Sequence, residues 1–274
     1  MRTFVYICAI AIFIAVLTPK TSARVLGSDL HNAVAVYYFS SLTNSGNVRD
    51  YSGNGLQGSL YEDAQLSRIS GRNCLSLGSN SDRFQAVHDN KSLSLSKEFS
   101  IVAWVRIPRQ SNDFLIEIFT YKGPIANIVR NVHSDYEGSV TMGVLADGPL
   151  FGTYAYNKNE ASHHAESIGR HVNNNRWQHI GFVVNSTSMR LYLNGIRVVY
   201  QSVNGHEAFA GTGSLIVMGE NARGSVDNVG FFRNDLTDTH VRMIYTQGLA
   251  NIINIADVDP GGKAATTWGA LKQR

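Results

Sequence analysis

Residues 177–199 read WQHIGFVVNSTSMRLYLNGIRVV, and their alternation decides the fold. Trp177, His179, Gly181 and Val183 fall on one side of an extended chain, and Gln178, Ile180, Phe182 and Val184 on the other, because successive strand side chains point to opposite faces. After the polar loop Asn185–Ser188, Met189, Leu191 and Leu193 share a face, with Arg190 and Tyr192 opposite. Asn194-Gly195 then separates this run from Ile196–Tyr200. Asn-Gly between two alternating runs is a strong hairpin signal, since a type I′ turn needs positive φ at both central positions. The stretch is a β-meander, and the rest of the chain has to supply the sheet that covers its apolar face.

Working outward, short apolar runs bounded by turn formers recur. Ala33–Phe39 is the first strand, followed by the turn-dense segment Asn44–Gly58. Gln65–Ile69, Asn73–Leu77 and Arg83–Val87 come next, then Phe99–Ile107, where Phe99, Ile101, Ala103 and Val105 share a face. Pro108 ends that strand, since proline cannot donate to a ladder. Phe114–Tyr121, Ile125–Val132, Ser139–Ala146 and Thr153–Tyr156 precede a polar loop, Asn157–Asn175. Ser214–Met218 and Gly224–Phe232 follow the meander. One segment reads as a helix: Thr237 caps it, Asp238 suits its first turn, Val241, Ile244 and Tyr245 recur at helical spacing, and Gly248 ends it. The pattern predicts an all-β fold, a two-sheet sandwich with one short C-terminal helix, over residues 30–250. Residues 251–274 form a tail.

Residues 1–23 read as a secretory signal peptide: Arg2, an apolar run Phe4–Leu17, then small and polar residues to Ala23. The run of about 14 apolar residues is short for a membrane span of ~20. Secreted, extracellular or cell-envelope placement follows. Removal of residues 1–23 takes Cys8 away and leaves Cys74, set in an alternating run, as a buried, inert thiol. The net charge is +3 with scattered Lys and Arg, which disfavours nucleic acid as a partner.

Five landmarks in order give the chain a family resemblance. They are Asp50-Tyr51-Ser52-Gly53-Asn54-Gly55 after the opening strand, Phe99–Val105, Trp177-Gln178-His179-Ile180, Leu191-Tyr192-Leu193-Asn194-Gly195, and Gly224–Val229 followed by Leu236-Thr237-Asp238. The chain resembles the concanavalin A-like lectin/glucanase superfamily in its laminin-G-like branch, which includes the pentraxins. The resemblance implies a jelly-roll sandwich of two antiparallel sheets. It also implies a calcium site, with Asp50, Asn54 and Asp227 as candidate ligands on one edge, since the hard cation takes carboxylate, amide and carbonyl oxygens. The competing reading is that Asp50 caps a turn and Asp227 closes a local hydrogen-bond network.

Glucanases of this superfamily carry two glutamates and an aspartate on alternate positions of one strand. No E-x-D-x-E or E-x-D-x-x-E run is present; Asp113 and Glu117 lack a third member. Gly53–Gly58 fits G-x-G-x-x-G but opens no helix, so its glycines serve a tight loop rather than a dinucleotide. His163, His164 and His171 fall in the polar loop, and His179 alternates with Trp177 as a packed, hydrogen-bonded core residue. Sugar binding uses aromatic faces beside polar groups. Trp104 and Tyr192 lie opposite the inferred core, and Tyr154 and Tyr156 are placed at the rim; the competing reading is that Trp104 packs under a loop or a second layer. Trp268 falls in the tail, and Asn90-Lys91-Ser92 and Asn185-Ser186-Thr187 are glycosylation sequons. The expected function is a non-catalytic module binding an extracellular glycan or glycoprotein. The alternatives are an adhesive protein-binding domain and a degenerate glycoside hydrolase.

Overall fold

The computed structural model describes residues 33–79, 81–87, 98–109, 116–122, 140–145, 148–155, 162–205, 215–218 and 223–253. The expectations for the segment 1–23, Asn90, Asp113, the strand over 125–132, Tyr156 and Trp268 lie outside these residues, as does the Glu117 side chain.

The chain opens with β1 (Ala33–Tyr37), β2 (Ser59–Tyr61), β3 (Gln65–Ile69), β4 (Arg72–Leu77), β5 (Arg83–Val87) and β6 (Phe99–Arg106). It continues through β7 (Ile116–Lys122), β8 (Val140–Val144), β9 (Pro149–Ala155), β10 (Ser162–His171), β11 (Gln178–Val184), β12 (Ser188–Leu193) and β13 (Ile196–Ser202). It ends with β14 (Leu215–Met218), β15 (Gly224–Phe232), α1 (Asp238–Gln247) and α2 (Leu249–Ile253). One sheet runs β13-β12-β11-β6-β15-β4-β3 with β1 also on β15; the other runs β10-β9-β8-β7-β14-β5-β2. The described strand pairs are antiparallel, and the two sheets stack as a jelly-roll sandwich.

The meander is β11, β12 and β13. Its turn residues, Asn194 (φ 51°) and Gly195 (φ 76°), both take the positive φ that the type I′ turn demands. Phe99, Ile101, Ala103, Val105, Ile180, Phe182 and Val184 all join the inter-sheet core. The helix starts as expected: Thr237 accepts from the His240 backbone N–H at 3.2 Å, and His240 Nδ1 accepts from the Thr237 N–H at 3.4 Å. Cys74 is buried, and burial raises its thiol pKa, which keeps it inert.

Besides α2 (Leu249–Ile253), a second short helix directly after Gly248 where one helix and a tail from residue 251 were expected, two features depart from the sequence reading. Residues 162–171, expected as part of a polar loop, form the ten-residue strand β10. It is the outermost strand of its sheet, where polar side chains face water, and its register shifts between Glu166 and His171, with Gly169 at φ 73°. Such an irregularity erases the period-two signal. The second departure is a further core on the outer face of the eight-stranded sheet. Val36, Val102, Val183, Tyr192 and Phe232 are covered there by Leu236, Val241, Ile244 and Leu249, so every residue of β11 is buried. The apolar stripe of α1 needs a partner, and the outward-facing valines of β6 and β11 supply it.

Candidate functional site on the outer face of the eight-stranded sheet

Strand β15 changes neighbours partway along. Gly224–Val226 pair with β4, whereas Val229–Phe232 pair with β1. Between them the β15–β6 register shifts by a bulge after Asp227, and Asn228 sits at φ 50°. A bulge re-aims side chains. Here Asp227 is buried, and its carboxylate accepts the Asn228 N–H at 2.7 Å, the Asn228 Nδ2 amide at 2.6 Å and Arg72 Nη1 at 3.3 Å. Burial outweighs these bonds and raises the Asp227 pKa.

Because β1 takes that edge of β15, the tip of the β3–β4 hairpin is left to fold over the outer face. Its turn residues are Ser70 (φ 51°) and Gly71 (φ 83°). The tip lands on two tryptophans. Trp177 Nε1 donates to the Ile69 carbonyl at 3.2 Å, and the Arg72 guanidinium carbon lies 3.9 Å from the Trp104 ring centre and 5.8 Å from that of Trp177. Tyr245 of α1 stacks on Trp104 with 5.5 Å between centroids and 26° between planes. Trp104 is thus half-buried beneath both the hairpin and the helix, as the competing reading held, rather than an open platform.

His179 completes the cluster, 5.6 Å from Trp104 and 5.9 Å from Tyr245 by ring centroids. It is packed in a core, but neither ring nitrogen has a hydrogen-bond partner among the described residues, which corrects the expectation of a hydrogen-bonded histidine. Its rigidity comes from the backbone: the His179 N–H donates to Asn194 Oδ1 at 3.0 Å, and the Asn194 N–H returns a bond to the His179 carbonyl at 2.7 Å. Burial, then the Arg72 charge, pushes the imidazole pKa down to about 3.

Tyr192 and Tyr154, also expected as sugar-binding aromatics, do not join this face as exposed rings. Tyr192 is fully buried under α1, and its hydroxyl donates to Asp238 Oδ1 at 2.6 Å. Tyr154 is fully buried in the inter-sheet core against Phe99. Neither offers a face to a sugar; alternation told the two strand faces apart but not which of them meets water. His163 and His164 stand on β10, His163 beside Tyr154 and His164 stacked on Phe151.

The two carboxylates among the calcium candidates are taken up by protein donors and do not fit a cation. Asp50 accepts four hydrogen bonds, from the N–H groups of Val36 (3.0 Å), Ser52 (2.8 Å) and Leu56 (2.9 Å) and from Ser52 Oγ (2.7 Å). Four donors fill the lone-pair sites a metal would need. Asn54 donates from Nδ2 to the Ala33 and Val34 carbonyls, which leaves its oxygen out of the count, and Asp227 is bound to Arg72 and Asn228. Asp50 therefore latches a turn and Asp227 closes a local network.

Comparison with known proteins agrees with this architecture. The chain is 25% identical over 225 residues to paraclostridial mosquitocidal protein 1 from Paraclostridium bifermentans, an alignment covering 76% of this chain and 17% of that protein. Among solved structures it resembles the binding domain of the same protein, with TM-score 0.61 and 19% identity over 80% of this chain and 53% of that one. It also resembles the botulinum neurotoxin serotype D ligand binding domain, solved in complex with N-acetylneuraminic acid. The TM-score is again 0.61, with 17% identity over 80% of this chain and 51% of that one. The chain thus spans about half of those solved domains and a smaller share of the mosquitocidal protein. Residues 78–242, more than half of the sequence, match the family model Laminin_G_3. The chain belongs to that family, of the concanavalin A-like lectin/glucanases superfamily.

Proposed function

We propose that the chain is a secreted, non-catalytic module that binds an extracellular glycan or glycan-bearing protein along the rim where Trp177, Arg72 and the edge of Trp104 meet. The observation that carries this is the placement of Arg72. Its side chain is 32% exposed, yet its guanidinium lies on Trp104 and close to Trp177, and Asp227 engages Nη1 alone. A guanidinium fixed against an indole keeps donor edges for sugar oxygens, and an aromatic ring beside it supplies the apolar surface that a pyranose face covers. The lectin superfamily and the N-acetylneuraminic acid complex of a related fold support a glycan as the ligand class. The missing strand-borne carboxylate set supports a binding role over hydrolysis. No cation enters the proposal, given how Asp50 is occupied.

A glycan array probed with the secreted chain, once with calcium and once with EDTA, tests it. The expected result is a defined subset of bound glycans, identical in both buffers, with Trp177→Ala weakening binding by about tenfold or more. A silent array together with retained binding to cells or matrix protein would instead support an adhesive domain. Release of reducing sugar that is lost on Glu117→Gln would support a hydrolase.

A further inference from the structure

His179 is a buried polar side chain with nothing to accept a proton from it. Its ring is fully buried, and neither nitrogen has a hydrogen-bond partner among the described residues. Trp104 of β6 and Tyr245 of α1 pack against it, and Asn194 of β12 engages only its backbone N–H. The charges at this seam are the Arg72 guanidinium over Trp104, which repels a second cation, and the Asp227 carboxylate on β15, which Arg72 and Asn228 occupy. A protonated His179 would be a buried, unpaired charge beside a like charge. The element that closes over it can leave without dismantling the sandwich. Helices α1 and α2 add no strand to either sheet, and Val241, Ile244 and Leu249 belong to an outer cluster distinct from the inter-sheet core. The chain just ahead of α1 is anchored: Ser100 Oγ donates to the Asn234 carbonyl at 2.7 Å and accepts the Leu236 N–H at 2.8 Å. Arg190 and Arg197 hold Asp235 and Asp238 at 3.1 and 3.2 Å. Towards the other end of α1, Tyr245 is the residue set against His179.

We infer that α1 and α2 form an acid-released strap: protonation of His179 drives Tyr245 off Trp104, and the helices lift about the Ser100 anchor while the two sheets stay folded. Release bares Val102, Val183 and Phe232, which the helices cover, and the face of Trp104 on which Tyr245 stacks. The sign follows from burial. In the closed strap, burial and then Arg72 hold the imidazole down at about 3, against about 6.5 once it meets water. The open form therefore takes up the proton below about pH 6.5, and closure weakens as pH falls from there.

Amide hydrogen exchange on the secreted chain at pH 7.5 and pH 5, corrected for the pH dependence of the chemical step, tests this. The amides of Val241, Ile244 and Tyr245 should open about ten- to thirtyfold more often at pH 5. Those of Ile101 on β6 and Phe182 on β11 should stay far better protected at both pH values. His179→Phe and His179→Leu, two neutral replacements, should each abolish the acid response of the helix amides. His240→Gln is the control. His240 Nδ1 accepts the Thr237 N–H at 3.4 Å, a bond that its own protonation would remove, and glutamine at that position keeps a reciprocal cap without titrating. The acid response should persist in that variant. Helix amides that exchange only together with Ile101 and Phe182 would overturn the strap, since the opening would then be global. A response that survives both His179 replacements, or that vanishes in His240→Gln instead, would overturn it as well.

Discussion

The Arg72 guanidinium carbon lies over Trp104, 3.9 Å from its ring centre, while Nη1 is held by the buried carboxylate of Asp227 at 3.3 Å. One residue therefore ties the β3–β4 hairpin tip to β6 and β15, and Tyr245 clamps the same indole from α1. Trp104 works as an anchor for the layers above it. Trp104→Ala should cost about 3–5 kcal/mol, the range for deleting a packed aromatic, and chemical denaturation would measure it. Arg72→Lys keeps the charge but loses the planar guanidinium over the indole. It should lower stability by roughly 1 kcal/mol or more and weaken ligand binding together with it.

Gly195 has two reasons to be glycine. Its φ is 76°, and a Cβ there would lie 2.9–3.1 Å from the Tyr245 side chain. Gly195→Ala should cost about 1–2 kcal/mol from backbone strain alone, with more from displacing Tyr245. Hydrogen exchange would show the loss concentrated in α1, whereas an effect confined to the β12–β13 turn would mean that Tyr245 does not clamp the helix.

His179 makes stability depend on pH. Its pKa falls from the ordinary value near 6.5 to about 3 in the folded chain. Below pH 6.5 the unfolded chain therefore binds the extra proton and the folded chain does not, so stability is complete above about pH 6.5 and erodes as pH falls toward 3. The loss from this group between about pH 6.5 and 5 is roughly 2 kcal/mol. Since neither ring nitrogen has a hydrogen-bond partner among the described residues, His179→Phe should change stability at pH 7 by only about 1 kcal/mol. It should also remove most of that pH slope. An unchanged slope in the variant would assign the acid sensitivity to other groups.

Asp50 should act without metal. Its carboxylate satisfies three backbone N–H groups, two of them on the buried residues Val36 and Leu56. Asp50→Ala should therefore destabilise the chain by about 2–4 kcal/mol. Calcium or EDTA should leave the melting temperature unchanged, because a cation bound to the folded state would raise it. A calcium-dependent rise in melting temperature would contradict this account of Asp50.

Much of the fold was legible in the residues. The Asn194-Gly195 turn, strand β6 up to Pro108, strand β15 and the Thr237 cap each rest on chemistry within a few positions. Strand β10 was hidden because an edge position tolerates His, Ser and Glu, and a bulge broke its alternation. The site was only half legible. Trp104 and Trp177 lie on the face the alternation assigns them, but period two cannot say whether a face meets water. That depends on α1 crossing from 46 residues further along to cover Tyr192, and on the hairpin tip folding over Trp104. Arg72 escaped notice for the same reason: it reaches Asp227 across 155 residues of chain. One sequence signal pointed toward the cover. Val102 and Val183 are apolar on the face opposite the first core, and a helix with Leu236, Val241 and Ile244 had no other surface to bury against.

The most direct test of the central claim is a tryptophan fluorescence titration with a glycan that the secreted chain binds. Ligand contact at the rim predicts an emission change that saturates with binding, disappears in Trp177→Phe and persists in Trp268→Phe. An emission change and affinity untouched by Trp177→Phe would place the ligand elsewhere and contradict the account.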